Sequence, residues 1–162
     1  MTLVDHIFIF GAKYLFILAV ILATVWFFRL PRKEKKSVFI FGLIALPAIF
    51  IVSRIASVLY FDPRPFVVGY YKPLIPHIPD NGFPSDHVLF VSAIASVIFP
   101  FSRKVSACVW AIAIFVGISR VYVGVHHTVD ILGAAAISIV VSAIIFFFFN
   151  KKIEHRSSEA QQ

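Results

Sequence analysis

Residues Ile7 to Phe28 form an almost unbroken apolar run in which Lys13 is the sole charge. Crossing the hydrocarbon core takes about 20 apolar residues. Four further segments reach or approach that length: 38–60, 86–101, 104–122 and 128–149. Unpaired backbone groups are too costly in lipid, so each must form a continuous helix. The expected fold class is therefore all-α, an integral membrane bundle of about five transmembrane helices. The third segment is short, and Pro100 near its end predicts a bent or sheltered helix. Small residues on the third helix (Ala93, Ala95, Ser96) and on the fifth (Gly133 to Ala136, Ser138) predict close approach to neighbours.

A mean hydropathy of +0.92 with only 14% charged residues excludes an ordinary soluble domain. The length fits one transmembrane domain, 1–150, followed by a polar cytoplasmic tail, 151–162, expected to fray. The first run ends in bulky residues and charges without a small-residue cleavage site, so it reads as a retained span. Cys108 lies inside an apolar run and has no partner for a disulfide or a thiolate metal site.

The formal charge of +7 would suggest nucleic acid in a soluble protein. Here the basic residues flank apolar runs, so they set orientation, and no nucleic-acid partner is expected. Arg29, Arg32, Lys33, Lys35, Lys36, Arg103, Lys104, Lys151, Lys152 and Arg156 fall on one side of the bundle. Only Arg64 and Lys72 fall in the connections on the other. The positive-inside rule then places the amino terminus outside and the carboxy terminus in the cytoplasm. The connections after the second and fourth helices must emerge together on the extracytoplasmic face.

Three polar groups gather on that face: "DPRPF" from Asp62, "DNGFPSDH" from Asp80, and "SRVYVGVHHTVD" from Ser119. Asp130 follows His126 by four residues, so on a helical turn its carboxylate lies beside the imidazole. It can hold one ring nitrogen and leave the other as a lone-pair donor, which makes His126 a candidate nucleophile. Arg64 and Arg120 offer planar forks that match phosphate oxygens. Ser85 stands at the N-cap position of the third helix, where hydroxyl, amides and helix dipole favour an anion. His87 can protonate a departing oxygen. The set amounts to a phosphoryl-transfer site with no need of a metal or cofactor.

Arg64-Pro65, Pro84-Ser85-Asp86-His87, and Ser119-Arg120 followed at fixed spacing by His126 and Asp130 resemble the three signature motifs of the type 2 phosphatidic acid phosphatase family, whose site is shared with vanadium haloperoxidases. The resemblance implies an acid phosphatase/haloperoxidase-like core. It also implies that His126 forms a phosphohistidine, that Asp130 orients it, and that His87 acts first as acid and then as base. Arg64, Ser85 and Arg120 would bind the phosphoryl oxygens. "HIPDNGF" ahead of "PSDH" is similar to the bacterial undecaprenyl-diphosphate phosphatases of that family. One position departs from the pattern. The family lysine seven residues before Arg64 is here Ser57, and Arg54, one helical turn earlier, is the candidate replacement.

The resulting expectation is a lipid diphosphate phosphatase at the outer face of a bacterial cytoplasmic membrane, with the bilayer and its substrate as partners and the oligomeric state left open. A phosphatidic acid or phosphatidylglycerophosphate phosphatase is the alternative within enzymes. A non-catalytic anion-binding or transport protein is the alternative outside them. His77, Asp80 and Asn81 read as turn residues, His127 as a neighbour of the nucleophile, and Phe66, Tyr70 and Tyr71 as an interfacial aromatic group.

Overall fold

The computed structural model describes the backbone of residues 1–159 and the side chains of residues 1–150. Six helices follow in order: α1 Leu3–Arg29, α2 Arg32–Leu59, α3 Pro65–Val68, α4 Asp86–Ile98, α5 Arg103–Tyr122 and α6 Thr128–Glu159. Thr2 opens α1 with a capping box completed by Asp5, and Ser102 caps α5 by accepting from the Val105 amide. Pro47 sits inside α2, where it removes one hydrogen-bond donor without ending the helix. The backbone expected to fray is helical as far as Glu159, and residues 160–162 of the expected tail lie outside the described residues.

Four helices, α1, α2, α5 and α6, are long and apolar enough to cross a membrane. Their outward faces carry large apolar side chains such as Phe10, Phe28, Phe39, Phe50 and Phe147, as lipid contact requires. The remaining expected span, 86–101, is a shorter helix. α4 has 13 residues, and at about 1.5 Å per residue it falls well short of the roughly 30 Å hydrocarbon core. It stops at Ile98, and Phe99 to Phe101 form the turn around Pro100 that leads into α5.

A helix this short is tolerated because its neighbours surround it. α4 packs against α1, α2, α5 and α6, and most of its residues, from Val88 to Ile98, are buried. Close approach is made by small residues, among them Ala95, Ser96 and Ser138 of those expected, joined by Ser92, Ser106 and Ser142. Ser92 Oγ lies 2.8 Å from Ser138 Oγ on α6, and Ser106 Oγ on α5 donates to the Ala95 carbonyl at 2.8 Å. Ser142 Oγ of α6 donates to the Ser96 carbonyl at 3.2 Å.

One end of this bundle collects the polar segments. The start of α1 meets the end of α5 through Tyr122, whose hydroxyl donates to Asp5 at 2.9 Å. The start of α4 meets the first turn of α6 where the Ser85 amide donates to the Asp130 carbonyl at 3.2 Å. The connection 60–85 lies across the same end, tied to α2 by the Asn81 bond to the Ser57 carbonyl and to the α5–α6 connection by Leu74.

Candidate active site

The α5–α6 connection is five residues long, Val123 to His127, and must reverse the chain in that distance. Gly124 makes this possible with φ of +80°, a left-handed conformation that side chains strain. The Tyr71 ring packs where a Cβ would project, and its hydroxyl donates to the Gly124 carbonyl at 3.2 Å. Tyr71 is thus half of a packed contact as well as an exposed aromatic residue. Buried Val123 and Val125 fix the connection from within. The reversal folds His126 back onto Arg120.

His126, 2% exposed, stands between two guanidinium groups. Its Nε2 lies 3.1 Å from Arg120 Nη2 and 3.3 Å from Arg64 Nη1. Arginine only donates, so Nε2 must be the accepting, unprotonated nitrogen. Nδ1 then carries the hydrogen and donates to Asp130 Oδ2 at 3.1 Å. The same Oδ2 accepts from the His127 amide at 2.9 Å. Gly82 packs so close that an added Cβ would meet Oδ2 at 2.9 Å. The carboxylate is therefore fixed on several sides, and the Nε2 lone pair is presented between two cations.

Arg64, 5% exposed, is itself held. Its Nε donates to Asp80 and its Nη1 to the Val125 carbonyl at 2.8 Å. Arg120, 4% exposed, keeps Nε without any partner among the described residues. Ser85 Oγ is likewise buried and unpartnered; the serine occupies the N-cap position of α4 without making a cap bond. Buried donors without acceptors are uncommon in folded proteins and call for an explanation. An anion held beside His126 would satisfy both.

The other expected residues are placed differently. His87 lies in the first turn of α4, half-buried, with its ring edge-on to Phe16 at 5.5 Å and no hydrogen bond among the described residues. Arg54 is not drawn to His126; it pairs with Asp86 at the start of α4, and both side chains are substantially exposed. Ser57, at the departing position, engages Asn81, whose Nδ2 donates to the Ser57 carbonyl at 2.8 Å and lies 3.2 Å from its hydroxyl. His127 Nδ1 donates to Asp62 at 2.9 Å. Asp62, His127 and Asp130 form the one group of potential metal ligands among the described residues. Asp62 Oδ2, His127 Nδ1 and Asp130 Oδ2 are engaged in hydrogen bonds within this group and with His126, while Asp130 Oδ1 is buried without a partner among the described residues.

Three residues read from sequence as turn formers do more. Asp80 pairs with Arg64, His77 Nε2 lies 3.3 Å from Arg120 Nη2, and Asn81 ties the connection to α2 through Ser57. The available signal was their polarity, concentrated on the site face of a chain poor in polar residues.

Burial first, then Arg120 and Arg64, pushes the His126 imidazole below its ordinary value of 6.5. It is neutral in the folded protein while an unfolded chain would take up a proton below about 6.5, so acid favours unfolding. Stability is expected to rise with pH up to about 6.5, by at most about 1.4 kcal/mol per pH unit from this one group. Thermal unfolding in detergent between about pH 5 and pH 7 checks this, with a shallower slope expected for His126→Gln. Equal slopes would mean that folded His126 is protonated.

Known proteins resemble this chain in sequence and in fold. The family described as the PAP2 superfamily matches residues 50–154. Undecaprenyl-diphosphatase BcrC of Bacillus subtilis is 32% identical over 151 residues, covering 91% of this chain and 76% of that protein. The crystal structure of Aquifex aeolicus LpxE superposes with a TM-score of 0.65 over 90% of this chain and 87% of that one; at 23% identity it speaks for the fold alone. The crystal structure of the first transmembrane PAP2 type phosphatidylglycerolphosphate phosphatase from Bacillus subtilis superposes with a TM-score of 0.61 at 28% identity, over 90% of this chain and 74% of that one. By the matched segment, the extended identity and the shared helical architecture, the chain belongs to the PAP2 superfamily.

Proposed function

We propose that this protein is a metal-independent membrane lipid phosphatase that converts undecaprenyl diphosphate into undecaprenyl phosphate and inorganic phosphate. The observation that carries the reading is the Nε2 lone pair of His126, oriented through Asp130 and flanked by Arg64 and Arg120. In the first step Nε2 attacks the terminal phosphorus, the N–P bond forms, and the bond to the bridging oxygen breaks as His87 gives that oxygen a proton. In the second step water attacks phosphorus, returns a proton to His87, and releases phosphate as the N–P bond breaks. Arg64, Arg120 and Ser85 hold the oxygens on which charge accumulates.

A lipid substrate suits a polar pocket at the end of a transmembrane bundle, because the tail stays in the bilayer while the phosphate enters. The charge distribution supports an outward-facing site in a bacterial cytoplasmic membrane, with the carboxy terminus inside. A B. subtilis relative is named an undecaprenyl-diphosphatase, which favours this substrate; a B. subtilis structure titled a phosphatidylglycerolphosphate phosphatase keeps that lipid as the second reading.

Purified protein given a panel of lipid mono- and diphosphates in chelator is expected to release phosphate fastest from undecaprenyl diphosphate. Faster release from phosphatidylglycerophosphate would select the second reading, and a requirement for added divalent metal would refute the mechanism. A reporter fused after Gln162 should report the cytoplasm; an external signal would reverse the proposed orientation.

A further inference from the structure

Each arginine of the site is held by a residue of the connection between α3 and α4: Asp80 takes Arg64 and His77 takes Arg120. The connection is fastened at several points, so these contacts are built into the fold. Tyr71 bonds Gly124, the Leu74 amide donates to the Val123 carbonyl at 3.0 Å, and Ile75 is buried against Ala12, Val123 and Val125. His77 follows two residues after Ile75 with its ring 6.3 Å from that of His126, centre to centre.

The hydrogen-bond partners define what His77 does. Arg120 can only donate, so His77 Nε2 accepts, and Nδ1 carries the hydrogen that points to the Ile78 carbonyl at 3.3 Å. Arg120 Nη2 has two hydrogens, one facing His126 and the other His77. Apart from these, the Arg120 guanidinium makes only a long contact, 3.5 Å, to the Ala12 carbonyl among the described residues. When His126 Nε2 bonds to phosphorus it can no longer accept. His77 is then the remaining close acceptor for the guanidinium among the described residues.

We infer that His77 is a positioning residue for phosphate binding: it holds Arg120 so that the unpartnered Nε edge faces the phosphoryl group, including after His126 is phosphorylated. The inference rests on the phosphatase reading above. His77 is not placed to protonate the leaving oxygen. Its Nε2 accepts from Arg120 and its one ring hydrogen is on Nδ1, turned to the Ile78 carbonyl, so the neutral ring holds no proton on the side that faces the site.

The test uses the full chain in detergent with wild type, His77→Ala, His77→Asn and His77→Gln. Steady-state kinetics on a lipid diphosphate are paired with calorimetric binding of inorganic phosphate. Loss of one charge-assisted hydrogen bond predicts about a tenfold rise in KM and in the phosphate Kd for the alanine and asparagine variants. Their kcat should change by less than about threefold, because the chemistry is left to His126 and His87. Glutamine, whose carbonyl reaches as far as an imidazole nitrogen, should restore both constants to within about threefold of wild type. Should His77→Ala not fold, the asparagine variant, too short to reach Arg120, carries the same test. Unchanged phosphate Kd in the short variants, a fall in kcat alone, or failure of glutamine to rescue would each overturn the inference. If wild type hydrolyses no lipid phosphate, the phosphatase reading fails while the calorimetry still decides the role of His77.

Discussion

Replacing His126 with alanine is expected to lower phosphate release by at least about 10⁴-fold, the order seen when a nucleophile is removed from a cooperating set. The neutral imidazole holds its lone pair between two guanidiniums, and no other described side chain sits in that position. The fold should survive, since the connection is held by buried Val123 and Val125, the Gly124 turn and the Tyr71 contact. Inorganic phosphate should still bind, because Arg64 keeps Asp80 and the Val125 carbonyl and Arg120 keeps His77. Turnover and phosphate binding measured on one preparation separate loss of chemistry from loss of structure. A variant that retained activity within about tenfold would move the attacking group to His87 or to water and end the phosphohistidine reading.

Asp130 gives the second large effect, and its geometry makes alanine and asparagine differ. Alanine leaves both the His126 Nδ1 hydrogen and the His127 amide without their acceptor, and frees the ring to turn. A loss of about 10⁴-fold in kcat is expected. Asparagine is constrained by the His127 amide, which needs an oxygen at the Oδ2 position and so keeps the carbonyl facing His126 as well. The ring should keep its tautomer, and the loss should come mainly from the missing negative charge opposite a phosphorylated imidazole. That argues for a smaller fall, about 10²- to 10³-fold, comparable with removing one electrostatic stabiliser. Equal losses in the two variants would show that the His127 amide does not set the orientation. Near-normal turnover in the alanine variant would remove Asp130 from the mechanism.

The spans were legible because lipid imposes one requirement on every residue of a crossing helix, and apolar runs record it directly. The α5–α6 group was legible for a related reason: His126 and Asp130 are four residues apart across a helix start, so local geometry alone brings them together. Residues whose partners lie far along the chain left a fainter trace. His77 is 43 positions from Arg120, and Asp80 is 16 from Arg64; neither pairing follows a helical or strand period. Their polar neighbours, Gly and Pro, read equally well as turn residues. Arg54 was legible as a candidate replacement for the family lysine, but its pairing with Asp86 depends on how α2 and α4 are set side by side. The length of α4 was only half visible, since Pro100 marked its end while the shelter that makes a short helix tolerable comes from four other helices.

Asn81 carries a consequence for how this sequence can change. Its amide serves Ser57, Tyr60, Asp62 and Phe83 together, so positions 57 and 81 are joined in one hydrogen-bonded unit. Putting the family lysine back at position 57 would remove the hydroxyl beside Asn81 and bring a long cation into space the amide occupies. The two positions should therefore be strongly epistatic, with the lysine tolerated only after position 81 has also changed. Among related sequences the serine and the asparagine would then be gained or lost as a pair, marking off one lineage of site architectures from the other.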